Sequence, residues 1–549
     1  MASIALGIVG TAIGGSIGGA ILGVSAAAIG GAVGTAIGTA VDSYLVSLFT
    51  PAPPAQRIEG ARLETARITG ATEGAVIPQV FGRMRVGGNV VWATDFREEV
   101  VEDRQGGGGK GGIGGGSSPE IITTTYLYYC SFAVALCEGP ISGIGRIWAD
   151  GELMNLEGVD WRWYAGDESQ APDPYIAART GNETPGYRGT AYLVFEDILL
   201  ERFGNRIPQL NVEVFRALDE ADTAEGATKA VTIIPGTGEF VYATEKVTRK
   251  AGGGTTASEN VLAVSTTADF RVSLDRLQAS CPGIESVSLV VSWFGSDLRA
   301  GNCQIRPKVE IASKDNSRAW SVDGISRGSA QVVSQLDGRP AFGGTPSDFS
   351  VTQAIQECKA RGLRLTLYPF LMMDIPSENP YSDNAGTNGQ PVFPWRGRIT
   401  CSPAAGYAGS VDKTGDAATQ VAAFFNGTWG YRRMVLHYAQ LCAAAGGVDA
   451  FLIGSELRGL TQVRSSASDY PAVGLMVTLA NDCRAILGAG TKISYAADWS
   501  EYFGHHPGDG SGDVYFNLDA LWAAPNVDFV GIDNYMPLSD WRDGFEHLD

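Results

Sequence analysis

Apolar positions from residue 269 onward switch repeatedly between helical and strand spacing. Helix-spaced stretches at 270–281, 351–361, 431–445, 472–487 and 518–523 are each followed by a nearly continuous apolar run, at 286–293, 363–370, 449–454, 492–497 and 527–532. Uninterrupted apolar runs between helices predict parallel strands covered on both faces. Their repetition predicts an α/β domain of (β/α)8 TIM-barrel type rather than an open sheet. A first barrel strand is expected at 239–243, EFVYA, which makes the run ending at Gly454 the fourth. Upstream, short β-branched and aromatic runs at 87–94, 120–129, 144–148 and 191–195 are separated by turn residues, the pattern of an antiparallel sheet module.

The first 41 residues carry no charge, and glycines recur every fourth position (Gly10, Gly14, Gly18; Gly15, Gly19, Gly23; Gly30, Gly34, Gly38). On a helix this lays a stripe of small residues along one face, so an apolar helix is expected. Two readings stand open for it: a packed plug inside an oligomer, or a segment, residues 1–41, that inserts into a membrane. A secretory signal is disfavoured, because no Lys or Arg precedes the apolar run. The expected organisation is therefore multidomain: a Gly/Ala-rich apolar helical segment at 1–50, a β-rich module at 51–217, a connector at 218–268 that takes in the first barrel strand, and the barrel domain at 269–549. A Gly-rich loop at 106–117 (GGGGKGGIGGGS) reads as a hairpin tip or connector.

Composition narrows the function classes. A formal charge of −19 argues against specific nucleic-acid binding, since nothing neutralises the phosphates. The eight cysteines form no C-x-x-C pair and read as free thiols rather than a zinc site or disulfide framework. No cofactor and no resident metal is expected. The pair His505-His506, with Asp509 and Asp513 as companions, is a weak metal alternative in a Gly- and Asp-rich loop.

Barrel sites gather at the carboxyl ends of the strands. The residues there are Trp293, Asp374, Glu456, Asp498 with Trp499, and Asp533 with Tyr535. Rings that stack on pyranose faces and carboxylates that move protons suit a polysaccharide site. Trp293, Asp374, Trp499, Asp533 and Tyr535 are taken as substrate-binding candidates. The long insertion at 371–414, with Trp395, Arg396 and Arg398, would widen a cleft or contact a neighbouring protein.

Three runs carry a resemblance. Gly181–Arg216 has the core Tyr187-Arg188-Gly189-Thr190-Ala191-Tyr192 followed by Arg202-Phe203-Gly204-Asn205-Arg206-Ile207-Pro208-Gln209-Leu210. Two others are Val80-Phe81-Gly82-Arg83-Met84-Arg85-Val86-Gly87-Gly88 and Ser131-Phe132-Ala133-Val134-Ala135-Leu136-Cys137-Glu138-Gly139-Pro140. Together they resemble the tail-tip, baseplate-hub proteins of gene transfer agents and long-tailed phages. The resemblance implies a virion tail-tip protein, assembled in the bacterial cytoplasm and acting at the host envelope. It further implies distal-tail and hub proteins as partners, a homo-oligomer around the tail axis, and a glycosidase-like barrel after the hub module. The run Phe451-Leu452-Ile453-Gly454-Ser455-Glu456-Leu457 is similar to the acid/base strand of retaining (β/α)8 glycosidases. That similarity implies Glu456 as the proton donor. The clan usually has Asn before this acid, where this chain has Ser455, and it supplies the nucleophile from strand seven, expected beyond Asp549. Hydrolysis of envelope polysaccharide, glycan binding without turnover, and a purely structural assembly and membrane-penetration protein for DNA delivery all follow as readings.

Overall fold

The computed structural model describes residues 76–105 and 121–535 apart from short breaks, together with Gln56–Glu59 and a few residues nearer the N-terminus. Of the apolar helix expected over 1–41, the structure describes only Ala20–Ile21 and Val24–Ser25, which pair as short antiparallel strands instead of helix; the rest, with its membrane role, and the Gly-rich loop 106–117 lie outside the described residues. Among the described residues, no helix is long and apolar enough to cross a membrane.

The β-rich module holds β1 (Gly82–Gly87), β2 (Asn89–Ala93), β3 (Arg97–Gln105), β4 (Ile121–Glu138), β5 (Gly143–Ala149), β6 (Asp160–Tyr164), β7 (Thr190–Leu199) and β8 (Leu210–Arg216). The 18-residue β4 is its spine. Its first half pairs antiparallel with β3, from Gln105 opposite Ile121 to Arg97 opposite Tyr129. Its second half pairs with β2 and β7. The burial pattern changes at the same point. Residues 121–130 alternate between buried and half-buried, as on a sheet with one covered face, whereas 130–137 are buried throughout. There, Phe132, Val134 and Leu136 meet Ile147, Val212 and Val214 of the second sheet (β1, β8, β5), while Ala133 packs with Tyr192 and Val194 on the other side.

The second domain is built on β9 (Ala230–Ile233), β10 (Ser286–Gly295), β11 (Arg364–Met373), β12 (Ala450–Ser455), β13 (Lys492–Asp498) and β14 (Gly531–Asp533), each parallel to the next in chain order. Strand order that follows sequence order, with no switch point, is the order of a (β/α)8 barrel. Six parallel strands are described, so the sheet is an incomplete barrel. Five helices, α1 (Asp269–Ser280), α2 (Asp348–Ala360), α3 (Gly415–Asn426), α4 (Tyr431–Ala444) and α5 (Pro471–Leu487), accompany it. Alternate residues divide the strands between two environments. Val290, Tyr368, Leu452 and Ala496 form one small cluster on the inner face, and Val291, Trp293, Leu367, Phe451 and Ile493 belong to the large core shared with the helices.

One expectation is corrected here. The first barrel strand is Ala230–Ile233, not 239–243. Glu239 is fully buried and taken up by Arg327 and Lys314 of the long stretch inserted between β10 and β11, and Tyr242 donates its hydroxyl to the Val290 carbonyl at 2.7 Å. Apolar residues there plug the sheet instead of extending it. The eight cysteines are unpaired, and all but Cys281 are buried.

Candidate functional site

Glu456 follows β12 directly, and its position is set by an irregular strand end. The β12–β13 register shifts between Leu452 and Ser455. Gly454 sits in that shift, where a Cβ would come within 2.2 Å of the Tyr431 hydroxyl. Glu456 itself has φ 48°, a left-handed backbone that a non-glycine residue adopts at a cost of about 1–3 kcal/mol. The turn is held by the Glu456 N–H on the Ala496 carbonyl at 2.8 Å and by the Leu457 N–H on the Tyr495 hydroxyl at 2.6 Å. These bonds aim a 5% exposed carboxylate at the inner face.

Two residues of the insertion close over that carboxylate. Trp395 Nε1 donates to Glu456 Oε2 at 2.5 Å. Arg396 Nη2 lies 2.9 Å from the same oxygen, an ion pair out of line for a hydrogen bond. Arg396 is anchored by its Nε to the carbonyl and hydroxyl of Ser455, at 2.9 and 3.1 Å, and its guanidinium lies 3.7 Å over the Phe370 ring. Ser455, where the glycosidase clan has Asn, thus serves as the seat of Arg396.

Asp533, at the end of β14, lies close enough to Glu456 for that carboxyl group to raise its own. The Tyr368 hydroxyl donates to its Oδ2 at 2.5 Å. Burial pushes the Asp533 carboxyl up to about 6; Tyr368 opposes the rise, while contact with Glu456 adds to it. Tyr535 lies close enough for the charges of Glu456 and Asp533 to reinforce the upward push that burial gives its hydroxyl.

The structure therefore brings together Glu456, Asp533 and Tyr535 of the sequence candidates. The others go elsewhere. Trp293 is fully buried on the helix side of β10, against His437 and Tyr438 of α4 at centroid distances of 5.8 and 6.3 Å. A strand's side chains alternate, so one position decides the face. Asp374 is buried in an ion pair with Lys308 at 2.7 Å and accepts the Ser334 N–H, tying down the insert. Trp499 opens a short turn after β13 and is 39% exposed, with Asp498 capping that turn through the Ser500 N–H. His505 is buried against Tyr470, Asp509 pairs with Lys413, and Asp513 accepts from Tyr515. Among the described residues, no group of three or more His, Cys, Asp or Glu could hold a metal ion. Sequence reading missed Tyr368, and it named Trp395 and Arg396 only as insertion residues. Tyr368 differs from its strand neighbours by parity alone.

A parallel sheet in barrel order, with a buried Glu456 and a half-buried Asp533 at the carboxyl ends of its fourth and sixth strands, defines a TIM-barrel-like protein. Residues 429–549 match the family model of the GTA TIM-barrel-like domain, and both Glu456 and Asp533 fall within the matched stretch. Among solved structures, the chain is similar to one from the virion of a native gene transfer agent particle, at 36% identity over 42% of this chain and 44% of that one, with a TM-score of 0.23. The match thus spans less than half of the virion chain. A GH113 β-1,4-mannanase complex is 15% identical over 47% of this chain and 53% of that one, with a TM-score of 0.25. The GH113 β-mannanase of Alicyclobacillus acidocaldarius is 14% identical over 44% and 49%, with a TM-score of 0.23. Superpositions this partial carry no functional weight. No curated protein matches the chain.

Proposed function

We propose that the chain is a structural tail-tip component of a gene-transfer-agent-type particle, and that its barrel engages host-envelope polysaccharide at the Glu456–Asp533 pair. The GTA TIM-barrel-like domain supports the first half. The pair itself carries the second. Trp395 and Arg396 can only donate, so the Glu456 Oε2 they touch bears no proton. Tyr368 occupies Oδ2 of Asp533. Asp533, raised to about 6 mainly by burial and further by Glu456, is the carboxyl group that holds a proton beside Glu456.

Glu456 is in this reading the acid toward a glycosidic oxygen, and Asp533 the neighbouring group that keeps a proton at hand. The opposing nucleophile is a separate group. Binding without turnover is the second reading, favoured by the cap that Trp395 and Arg396 form over Glu456.

The test is release of reducing ends from host capsule or cell-wall preparations by the full chain, beside Glu456→Gln and Asp533→Asn. Hydrolysis requires a loss of ~100-fold or more in Glu456→Gln, the contribution of a general acid. Activity should also fall as pH rises through about 6, where the Asp533 proton leaves. Glycan retention with no release from any of the three would make the barrel an adhesion module.

A further inference from the structure

In a chain with a formal charge of −19, three guanidinium groups converge where α1 of the barrel domain packs against β5 and β8 of the β-rich module. The approach is tight: a Cβ on Gly143 of β5 would meet the Ala279 Cβ at 2.8 Å. Among the described residues, Glu213 is the carboxylate bonded to Arg83 and Arg146, while Asp275 lines the same cavity but pairs with Arg361 at 2.7 Å, and Asp269 adds its charge toward Arg276. Glu213 on β8, 4% exposed, accepts Nε and Nη2 of Arg83 at 2.7 and 2.6 Å. It also accepts Nε, Nη2 and the backbone N–H of Arg146 at 3.2, 3.1 and 3.1 Å. Burial works against its charge, yet the donors of Arg146 and Arg83 hold the carboxyl down at about 2.

Arg276 on α1 is left over. Its Nε is buried and has no acceptor. Burial lowers its guanidinium from the ordinary value, and the charges of Arg83 and Arg146 add to that against the pull of Glu213. Arg276 is half-buried, and its enclosed Nε goes without an acceptor because the neighbouring Glu213 is already saturated. Arg276 lines a cavity of about 540 Å³ at the junction, together with Arg146, Ser142, Trp161, Trp163 and Phe215.

We propose that this cavity binds an acidic peptide segment of a partner protein, its carboxylate seated on Arg276 and an apolar neighbour lying against Trp161, Trp163 and Phe215. The lining favours such a ligand over a free anion, because a small anion would leave the aromatic walls unused. Arg and Trp around a desolvated pocket are the composition of an interface hot spot.

The experiment titrates the full chain, by calorimetry and tryptophan fluorescence, with a short acetylated peptide bearing glutamates and a leucine, with succinate, and with inorganic phosphate. The peptide should bind, and Arg276→Gln should weaken it at least about tenfold, the scale of a charge-assisted hydrogen bond. Trp163→Ala should weaken it as well. The unliganded Arg276→Gln chain should melt above the parent, because an uncompensated charge has gone. Unchanged peptide affinity in Arg276→Gln, or no peptide binding at all, overturns the proposal. So does phosphate or succinate binding as tightly as the peptide, which makes the cavity a simple anion pocket. A lower melting temperature in Arg276→Gln would mean that Arg276 is paired within the chain, and that too overturns it.

Discussion

Glu501, one turn below the candidate site, is the most strongly constrained carboxyl group next to it. It accepts from the Thr461 hydroxyl at 2.6 Å, the Asp498 N–H at 2.8 Å and the Tyr495 hydroxyl at 3.1 Å. Burial nevertheless pushes its carboxyl up to about 7. A carboxyl raised above its unfolded value of ~4.3 contributes stability below that pH and loses it as pH rises through the folded value. Chemical denaturation should therefore find the parent chain losing stability between about pH 4 and 7, on the order of 3 kcal/mol from this residue. Glu501→Gln keeps an acceptor for Asp498 and Tyr495 and should remove most of that slope; an unchanged slope would reject Glu501 as its origin. At this scale the sequence was half legible. Glu456 and Asp533 could be named because each ends an apolar run. Trp395 and Arg396 were seen only as part of a long insertion, since nothing local says that it folds back over Glu456. Trp293 was assigned to the wrong face, because its buried partners come from α4.

The strand end after β12 concentrates the constraints on the element. The register shift, the Gly454 backbone and the left-handed Glu456 together turn the chain so that the carboxylate leaves the sheet toward Asp533. A side chain at 454 would collide with the Tyr431 hydroxyl, which α4 holds fully buried. Gly454→Ala should cost about 1–3 kcal/mol, as overpacking does. Adding Tyr431→Phe removes the hydroxyl and should restore part of the loss. Melting temperatures of the two singles and the double measure the coupling, and strict additivity would rule the collision out. The same irregularity explains what periodicity could not supply. The apolar run at 449–454 announces a buried strand, but a bulge leaves no mark in hydrophobicity. Likewise 239–243 has the composition of a strand, yet Glu239 is drawn to Arg327 of an insert far along the chain.

For the whole molecule, the surface charge is the property read most directly from sequence. At −19 the chain should not be retained by duplex DNA at about 50 mM salt, where phosphate contacts are strongest. Retention in a mobility assay would locate a basic tract that outweighs the net charge. Arg83, Arg146 and Arg276 are the concentration of positive charge described at the junction, and they surround Glu213. By itself the sequence determined which stretches alternate and which stay apolar, and hence a β-rich module followed by parallel βα units. Those are local properties, written in side-chain order and in the solvent each face meets. Only the tertiary structure decided that the insertion caps Glu456, that Asp533 approaches it from another strand, and that the Arg276 Nε lacks an acceptor. Each is a juxtaposition of residues distant in sequence, and burial and charge acquire their energies only once those groups share one low-dielectric space.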